Sequence, residues 1–181
     1  HSLDRRQRQM CIRDRAYREV IRCKTALLFE AASHTGALLA CQGNAAICEE
    51  RIEAMRLFGL HFGMAYQLLD DWLDYRGDSK SMGKNVGDDL AEGKLTLPLI
   101  HALQNAATDD KAGVRDAIEN KTVAALPSIL RIVDKCGGLD YTRACAKKEI
   151  ETALQCLEQI PDNDYRAALV QLSHYSLSRL G

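Results

Sequence analysis

Residues 55–75 read MRLFGLHFGMAYQLLDDWLDY, and they decide the fold class of this chain of 181 residues. Drawn as a helix, the stretch carries apolar side chains on nearly all sides of the axis. A helix of that kind lies at the centre of a helical bundle rather than on its surface. The pattern begins near Ala45 and ends near Arg76, with Gly77 as a suitable stop. We therefore predict an all-α fold.

The rest of the chain also favours helices. Apolar residues recur at three- and four-residue intervals at Val20, Cys23, Leu27 and Ala31. This helix should break near Gly43-Asn44, and a loop is expected over 77–93. Thr96 is available to cap the next helix, with Pro98 tolerated in its first turn. Further helices are predicted over four ranges, 110–119, 122–135, 140–159 and 163–178.

The composition excludes several classes of protein. The 24 Lys and Arg balance 25 Asp and Glu, and the net charge of −1 argues against general nucleic-acid binding. A hydrophobic fraction of 46% argues against disorder, and one domain of this size buries about 70% of its unfolded surface. The longest uncharged run in the most apolar segment, residues 57–69, is too short to span a bilayer. We expect a soluble, cytoplasmic protein.

The cysteine spacing and the first 15 residues also carry information. The chain has seven cysteines and no C-x-x-C pair, which predicts reduced, buried thiols rather than a disulfide framework. Residues 1–15, HSLDRRQRQMCIRDR, show no helical apolar stripe. They are interpreted as a disordered tail or as sequence foreign to the natural protein, with a basic nucleic-acid-binding arm as the alternative.

The most distinctive polar residues lie within the apolar helix. Gln67, Asp70 or Asp71, and Asp74 follow a spacing that places them on one helix face. Two carboxylates about 6 Å apart at an effective dielectric near 20 repel by roughly 3 kcal/mol, and burial adds to this cost. Such oxygen ligands suit Mg²⁺. The alternative is an inert acidic patch, but acids near a helix C-terminus oppose the helix dipole, which favours a function.

Lysines supply the complementary charge. Lys24 precedes Thr25 one helix earlier, while Lys84 and Lys94 flank a segment that contains Gly87. A metal-bound diphosphate needs cationic donors for its remaining oxygens, and glycine lets backbone approach an anion closely. Each lysine alone is typical of a solvated surface. Their clustering in sequence after the aspartates favours a diphosphate site.

These motifs resemble those of the trans-polyprenyl diphosphate synthases. Residues 66–74, YQLLDDWLD, look like the second aspartate-rich motif of that family, and Lys24-Thr25 looks like its Lys-Thr pair. Residues 84–98 look like the segment after that motif and are similar to bacterial octaprenyl diphosphate synthases in particular. The resemblance extends through 138–143 and covers about residues 16–179.

The resemblance implies a helical bundle of the isoprenoid synthase type, usually in a homodimer. Members condense an allylic diphosphate with isopentenyl diphosphate, here for quinone (ubiquinone) biosynthesis, and Mg²⁺ assists departure of the diphosphate. By position, Asp70 would coordinate Mg²⁺, with Asp71 and Asp74 acting directly or through bound water. The residues implied to bind the diphosphate are Lys24, Thr25, Gln67, Lys84 and Lys94. Of these, Lys24 and Lys84 are the implied catalytic cations.

The chain departs from the family pattern in one respect. The sequence Asp-Asp-x-x-Asp occurs at 70–74 alone, because Asp88-Asp89 and Asp109-Asp110 lack the third acid. The family has a first aspartate-rich motif upstream, followed by arginines for isopentenyl diphosphate. Residues 16–181 therefore look like the C-terminal half of a synthase, an incomplete bundle that follows an unrelated segment 1–15.

Two expectations and two alternatives follow from this incompleteness. The fragment is expected to be inactive, and half a bundle is expected to expose the apolar faces of residues 55–75. One alternative is a non-catalytic helical subunit or interaction module of a heteromeric synthase. The other is a terpene cyclase or head-to-head condensing enzyme, which the continuous match over 84–99 disfavours.

Overall fold

The computed structural model of the protein describes residues 14–41, 45–76 and 87–179. Its helices are joined by short turns, and these described residues contain no strand, which confirms the predicted all-α class. None of the helices in the described ranges combines the length and the apolar character that crossing a membrane requires.

The first helical stretch runs without a break from residue 14 to Ala40. It comprises α1 (residues 14–21), a π-helical turn (Arg22–Ala26) and α2 (Leu27–Ala40). Residues 14 and 15 are already helical, two residues before the expected boundary at 16, and the remainder of segment 1–15 lies outside the described residues. The long helix α3 (Ala45–Arg76) has the predicted bounds. The predicted breaks at Gly43-Asn44 and Gly77 also fall outside the described residues.

The helices after α3 are shorter. They are α4 (Asp88–Glu92), α5 (Leu97–Asn105), α6 (Thr108–Glu119), α7 (Leu126–Lys135), α8 (Gly138–Leu157) and α9 (Asp164–Ser178). Those from α5 to α9 follow the predicted order. A 3₁₀ turn, Val123–Ala125, precedes α7. Pro98 lies in the first turn of α5, as predicted.

Two local expectations after α3 were wrong. The segment 77–93 was expected to be a loop, yet α4 forms within it. Gly87 and Gly93 flank α4 with φ of 88° and 74°, and glycine adopts this left-handed conformation without the strain of a side chain. Thr96 occupies the N-cap position of α5, but its side chain makes no capping hydrogen bond, and its buried hydroxyl lies near that of Tyr75.

The described residues form two compact units. One combines residues 14–18 with 70–144, and the other combines residues 19–69 with 145–179. The first unit buries Leu90, Leu99, Val114, Ile129 and Val133. In the second unit, the core consists of Phe58, Phe62 and Ala65 of α3 with Ile150, Ala153 and Leu157 of α8.

The π turn and α2 pack closely against α3 at two glycines of α3. A Cβ atom on Gly63 would lie 2.7 Å from the Cα atom of Ala26, and one on Gly59 would meet the carbonyl group of Phe29. No side chain fits at either position without moving backbone. The π turn is therefore held directly against α3.

The expected exposure of residues 55–75 was wrong. Phe58, Leu68 and Trp72 are buried. Within the second unit, Phe29 of α2 and residues of α8 and α9 pack around the core that contains Phe58. Tyr66 is an exception at 45% exposed, and greater exposure occurs on α2, where Leu28 and Leu39 are 76% and 78% exposed.

The prediction of reduced, buried thiols was also wrong in part. Cys41 and Cys48 form a disulfide, with their Cα atoms 5.5 Å apart, since the end of α2 meets the beginning of α3. Cys23 is free but exposed, whereas Cys136, Cys145 and Cys156 are free and partly buried.

Candidate functional site

The three aspartates near the C-terminal end of α3 have different environments. Asp71 is 2% exposed, whereas Asp70 and Asp74 are partly exposed. Residues four apart share a helix face, so Asp70 and Asp74 leave α3 in similar directions. Asp71 is rotated from Asp70 by about 100° around the helix axis. Asp70 and Asp74 thus share a partly exposed face of α3, while Asp71 points into the protein.

Asp71 has a buried partner on α1. The hydroxyl of Tyr17 donates a hydrogen bond to Oδ2 of Asp71. Burial raises the pKa of the Tyr17 hydroxyl, and the nearby Asp71 raises it further. Tyr17 therefore stays neutral and acts as a donor to the carboxylate.

The Asp74 carboxylate lies against the beginning of α4. The backbone N–H of Asp89 donates to its Oδ2 atom over 3.3 Å, and the N–H of Gly87 donates to the backbone carbonyl of Asp74 over 3.0 Å. Burial raises the pKa of Asp74 to about 6, with the negative charge of Asp89 as the second cause. A cation beside Asp74 would offset both effects, so this carboxylate suits a metal ligand.

Lys94 reaches the same group of acids through Asp89. Its Nζ atom lies 3.2 Å from Oδ1 of Asp89 and 2.6 Å from Oε2 of Glu92. The hydrogen bond to Glu92 raises the pKa of Lys94, as does the one to Asp89. Lys94 thus remains charged beside the acids. The other lysine predicted on this segment, Lys84, lies outside the described residues.

The second unit contains the other predicted residues. Thr25 lies in the π turn, and its Oγ1 atom donates to Oε1 of the buried Gln67 over 2.7 Å. Lys24 precedes it in the same turn and is exposed. π turns are rare and often occur at functional sites. Lys24 and Thr25 thus lie in an unusual backbone segment, and their role in binding diphosphate stays a prediction.

The aspartates of α3 and α4 differ in how well they fit Mg²⁺. No group of three or more His, Cys, Asp or Glu residues in the described ranges is arranged to hold a metal ion by itself. Mg²⁺ usually keeps several waters and binds one or two carboxylates together with substrate phosphates. Asp70 and Asp74 fit that mode of binding. Asp71 is buried and accepts the hydrogen bond from Tyr17, which disfavours direct coordination by its carboxylate.

Sequence reasoning missed two contacts of this site. Tyr17 was not singled out, because nothing in a sequence marks a partner 54 residues away. Asp89 was set aside because Asp88-Asp89 lacks a third acid. Its position between Lys84 and Lys94 was the available signal that it belongs to the site.

The chain was compared with protein families and with solved structures. The family model described as "Polyprenyl synthetase" matches residues 2–133. A crystal structure of polyprenyl synthase from Caulobacter crescentus CB15, complexed with calcium and isoprenyl diphosphate, superposes with a TM-score of 0.80 at 38% identity. The match covers 91% of this chain and 49% of that one.

Two similar relatives are named as synthases of long prenyl chains. All-trans-nonaprenyl-diphosphate synthase (geranyl-diphosphate specific) of Rhodobacter capsulatus is 43% identical over 164 residues, covering 91% of this chain and 49% of the relative. Octaprenyl diphosphate synthase of Escherichia coli (strain K12) is 40% identical over 170 residues, covering 93% and 51%. The chain thus spans about half the length of these relatives. On the family match and these identities, the chain belongs to the polyprenyl synthetase family.

Proposed function

We propose that this chain is part of a long-chain trans-polyprenyl diphosphate synthase that makes an octaprenyl product for quinone (ubiquinone) biosynthesis. The reaction joins an allylic diphosphate to isopentenyl diphosphate. The observation that carries the proposal is the pair Asp70 and Asp74 on one face of a largely buried helix, with Lys94 held beside the acids through Asp89. The relatives named octaprenyl and nonaprenyl synthase support the chain-length class.

Mg²⁺ is the metal that we propose for this site. When bound, it would stabilise the negative charge that develops on the departing diphosphate. Asp70 and Asp74 would hold it, and Asp71 would act through bound water. The calcium in the Caulobacter crescentus structure supports a divalent cation that prefers oxygen ligands.

The basic and amide residues would bind the diphosphate. The proposed set is Lys24, Thr25, Gln67, Lys84 and Lys94. Lys24 and Lys84 act as catalytic cations, because fixed positive charge stabilises a leaving diphosphate more than the bound ester. Thr25 and Gln67 hold each other in place through their hydrogen bond. Lys94 keeps its charge through Glu92 and Asp89.

The test is Asp70→Ala in the intact synthase that contains this chain. Incorporation of labelled isopentenyl diphosphate into long-chain product, assayed with Mg²⁺, should fall at least about 100-fold, as for loss of a principal electrostatic contact. Asp134→Ala is the matched control, because Asp134 is exposed near the C-terminal end of α7. Unchanged turnover in Asp70→Ala would remove the assignment of Asp70.

The 181-residue chain alone is expected to make no product, since it has one aspartate-rich motif. Elongation by the purified chain would contradict this expectation. The alternative, a non-catalytic subunit or interaction module, predicts that the intact protein also lacks a first motif and that Asp70→Ala has no effect. That the intact synthase forms a homodimer and is located in the cytoplasm stays a prediction.

A further inference from the structure

Tyr17 is a buried polar residue that the proposed function leaves without a role. Its hydroxyl donates to Oδ2 of Asp71, and the two residues are 7% and 2% exposed. Both belong to the unit of residues 14–18 and 70–144. Their hydrogen bond therefore joins α1 to the acidic end of α3 within one compact unit.

The hydrogen bond from Tyr17 replaces contacts with water that the Asp71 carboxylate loses on burial. A carboxylate removed from water needs hydrogen-bond donors, or it takes up a proton. The Tyr17 hydroxyl is such a donor, and a hydrogen bond to a charged acceptor is roughly twice as strong as one between neutral groups. Because the Tyr17 ring is itself buried, its hydroxyl has a fixed direction. The contact therefore fixes the Asp71 side chain as well.

Fixing Asp71 has a consequence for its neighbours. Successive residues of an α-helix are separated by about 100° around the axis. Asp71, held toward the protein interior, adds a polar anchor to the buried Trp72, Leu73 and Tyr75, and together they set the rotation of the last turns of α3 about their axis. The directions in which Asp70 and Asp74 leave the helix are then fixed too.

We infer that Tyr17 is a positioning residue for the proposed metal and diphosphate site. It holds Asp71 inward and thereby presents Asp70 and Asp74 together to the cation. The inference rests on the proposed function, because that function assigns the metal to this pair. Tyr17 acts through Asp71 and contacts neither metal nor substrate.

The first experiment compares two buried tyrosines in the intact synthase. Titration calorimetry measures binding of Mg²⁺ in the presence of inorganic diphosphate, so no product needs to form. Tyr17→Phe should weaken binding about tenfold, as is typical when a residue that orients a metal site from outside its ligands is removed. Tyr75→Phe is the matched control: its buried hydroxyl lies near Thr96 rather than donating to an aspartate. This control should change the affinity less than about twofold.

The second experiment tests whether Tyr17 acts through Asp71. In an Asp71→Ala background, Tyr17→Phe should change the affinity less than about twofold, because its acceptor is gone. If Asp71→Ala does not fold, Asp71→Asn replaces it and should give an effect smaller than the tenfold loss. Urea unfolding of the same variants separates folding from positioning.

The outcomes distinguish this inference from the proposed function. If Tyr17→Phe lowers the unfolding free energy but leaves Mg²⁺–diphosphate affinity unchanged, its role is structural and the inference is overturned. An equal loss of affinity with and without Asp71 overturns it too, as does a wild-type protein that binds no Mg²⁺ with diphosphate. If Tyr17→Phe weakens binding but the wild-type protein elongates no prenyl chain, the inference stands and the proposed reaction fails.

Discussion

Thr25 in the π turn and Gln67 on α3 are joined by a hydrogen bond of 2.7 Å, although they lie 42 residues apart in the sequence. The π turn contains Lys24 as well as Thr25, and it interrupts an otherwise regular helix. A π turn changes the direction of the side chains within it relative to an α-helix. As a result, the Thr25 hydroxyl lies against the buried side-chain amide of Gln67.

Thr25→Val should lower the unfolding free energy of the 181-residue chain by about 1 kcal/mol. Valine has the shape of threonine but cannot donate to Gln67, and loss of one partner in a partly buried hydrogen bond has a cost of this size. Urea denaturation followed by circular dichroism measures the change. Thr25→Ser is the control, because it keeps the hydroxyl. Equal stability of Thr25→Val and the wild-type chain would show that the bond adds nothing to the fold.

Gly63→Ala should destabilise the chain by about 1–3 kcal/mol, as overpacking of a tight interface does. The added methyl group would lie 2.7 Å from the Cα atom of Ala26 and 3.0 Å from Cβ of Phe29. The backbone of the π turn would have to move, so the Thr25–Gln67 hydrogen bond should weaken as well. Thermal unfolding measures the effect.

The control for this prediction is Gly36→Ala on α2. Nothing lies within 4 Å of a Cβ atom at Gly36, and alanine in place of a helical glycine stabilises by roughly 0.5–1 kcal/mol. The two substitutions are chemically identical and should have opposite signs. If both variants gain stability, helices α2 and α3 are not in the close contact described above.

The helices were predictable because their signals are local. The apolar pattern of residues 55–75 and the tolerance of Pro98 in a first helical turn depend on near neighbours in the sequence. The π turn was not predictable in this way, because Lys24 and Thr25 fit a regular helical pattern equally well. Its cause is tertiary, in the close approach of Ala26 to Gly63.

The residue types of the candidate site stand out in the sequence, whereas the arrangement of their side chains does not. Carboxylates in an apolar helix indicated a cation, and Asp74 has the raised pKa that this argument requires. From the sequence, Asp70, Asp71 and Asp74 were predicted to act as one group. In the structure, contacts with distant residues give them different environments. Tyr17 holds Asp71, and the backbone of Asp89 reaches Asp74. Such pairings depend on the folded chain and have no local signal.

Asp74→Asn should stabilise the 181-residue chain at pH 7.5 in the presence of a chelator. The pKa of Asp74 is raised from its ordinary value of 3.8 to about 6 in the folded chain, mainly by burial. The unfolded chain therefore loses this proton more readily, and ionisation of Asp74 weighs against folding above pH 4. Asparagine removes the charge. Because Asp74 is only half-buried, the expected gain is about 1 kcal/mol rather than the full value of the shift.

The stability difference between Asp74→Asn and the wild type should depend on pH, in the direction that the raised pKa of Asp74 sets. The advantage of Asp74→Asn should be fully present above pH 6, fall to about half near pH 5 and vanish below pH 4, where both states hold the proton. Urea unfolding at these three pH values measures it. Mg²⁺ with inorganic diphosphate should reverse the order of the two proteins at pH 7.5, because a bound cation stabilises the carboxylate but not the amide. A variant less stable than the wild type with chelator at pH 7.5 would show that the Asp74 carboxylate is held by favourable contacts and has no need of a cation.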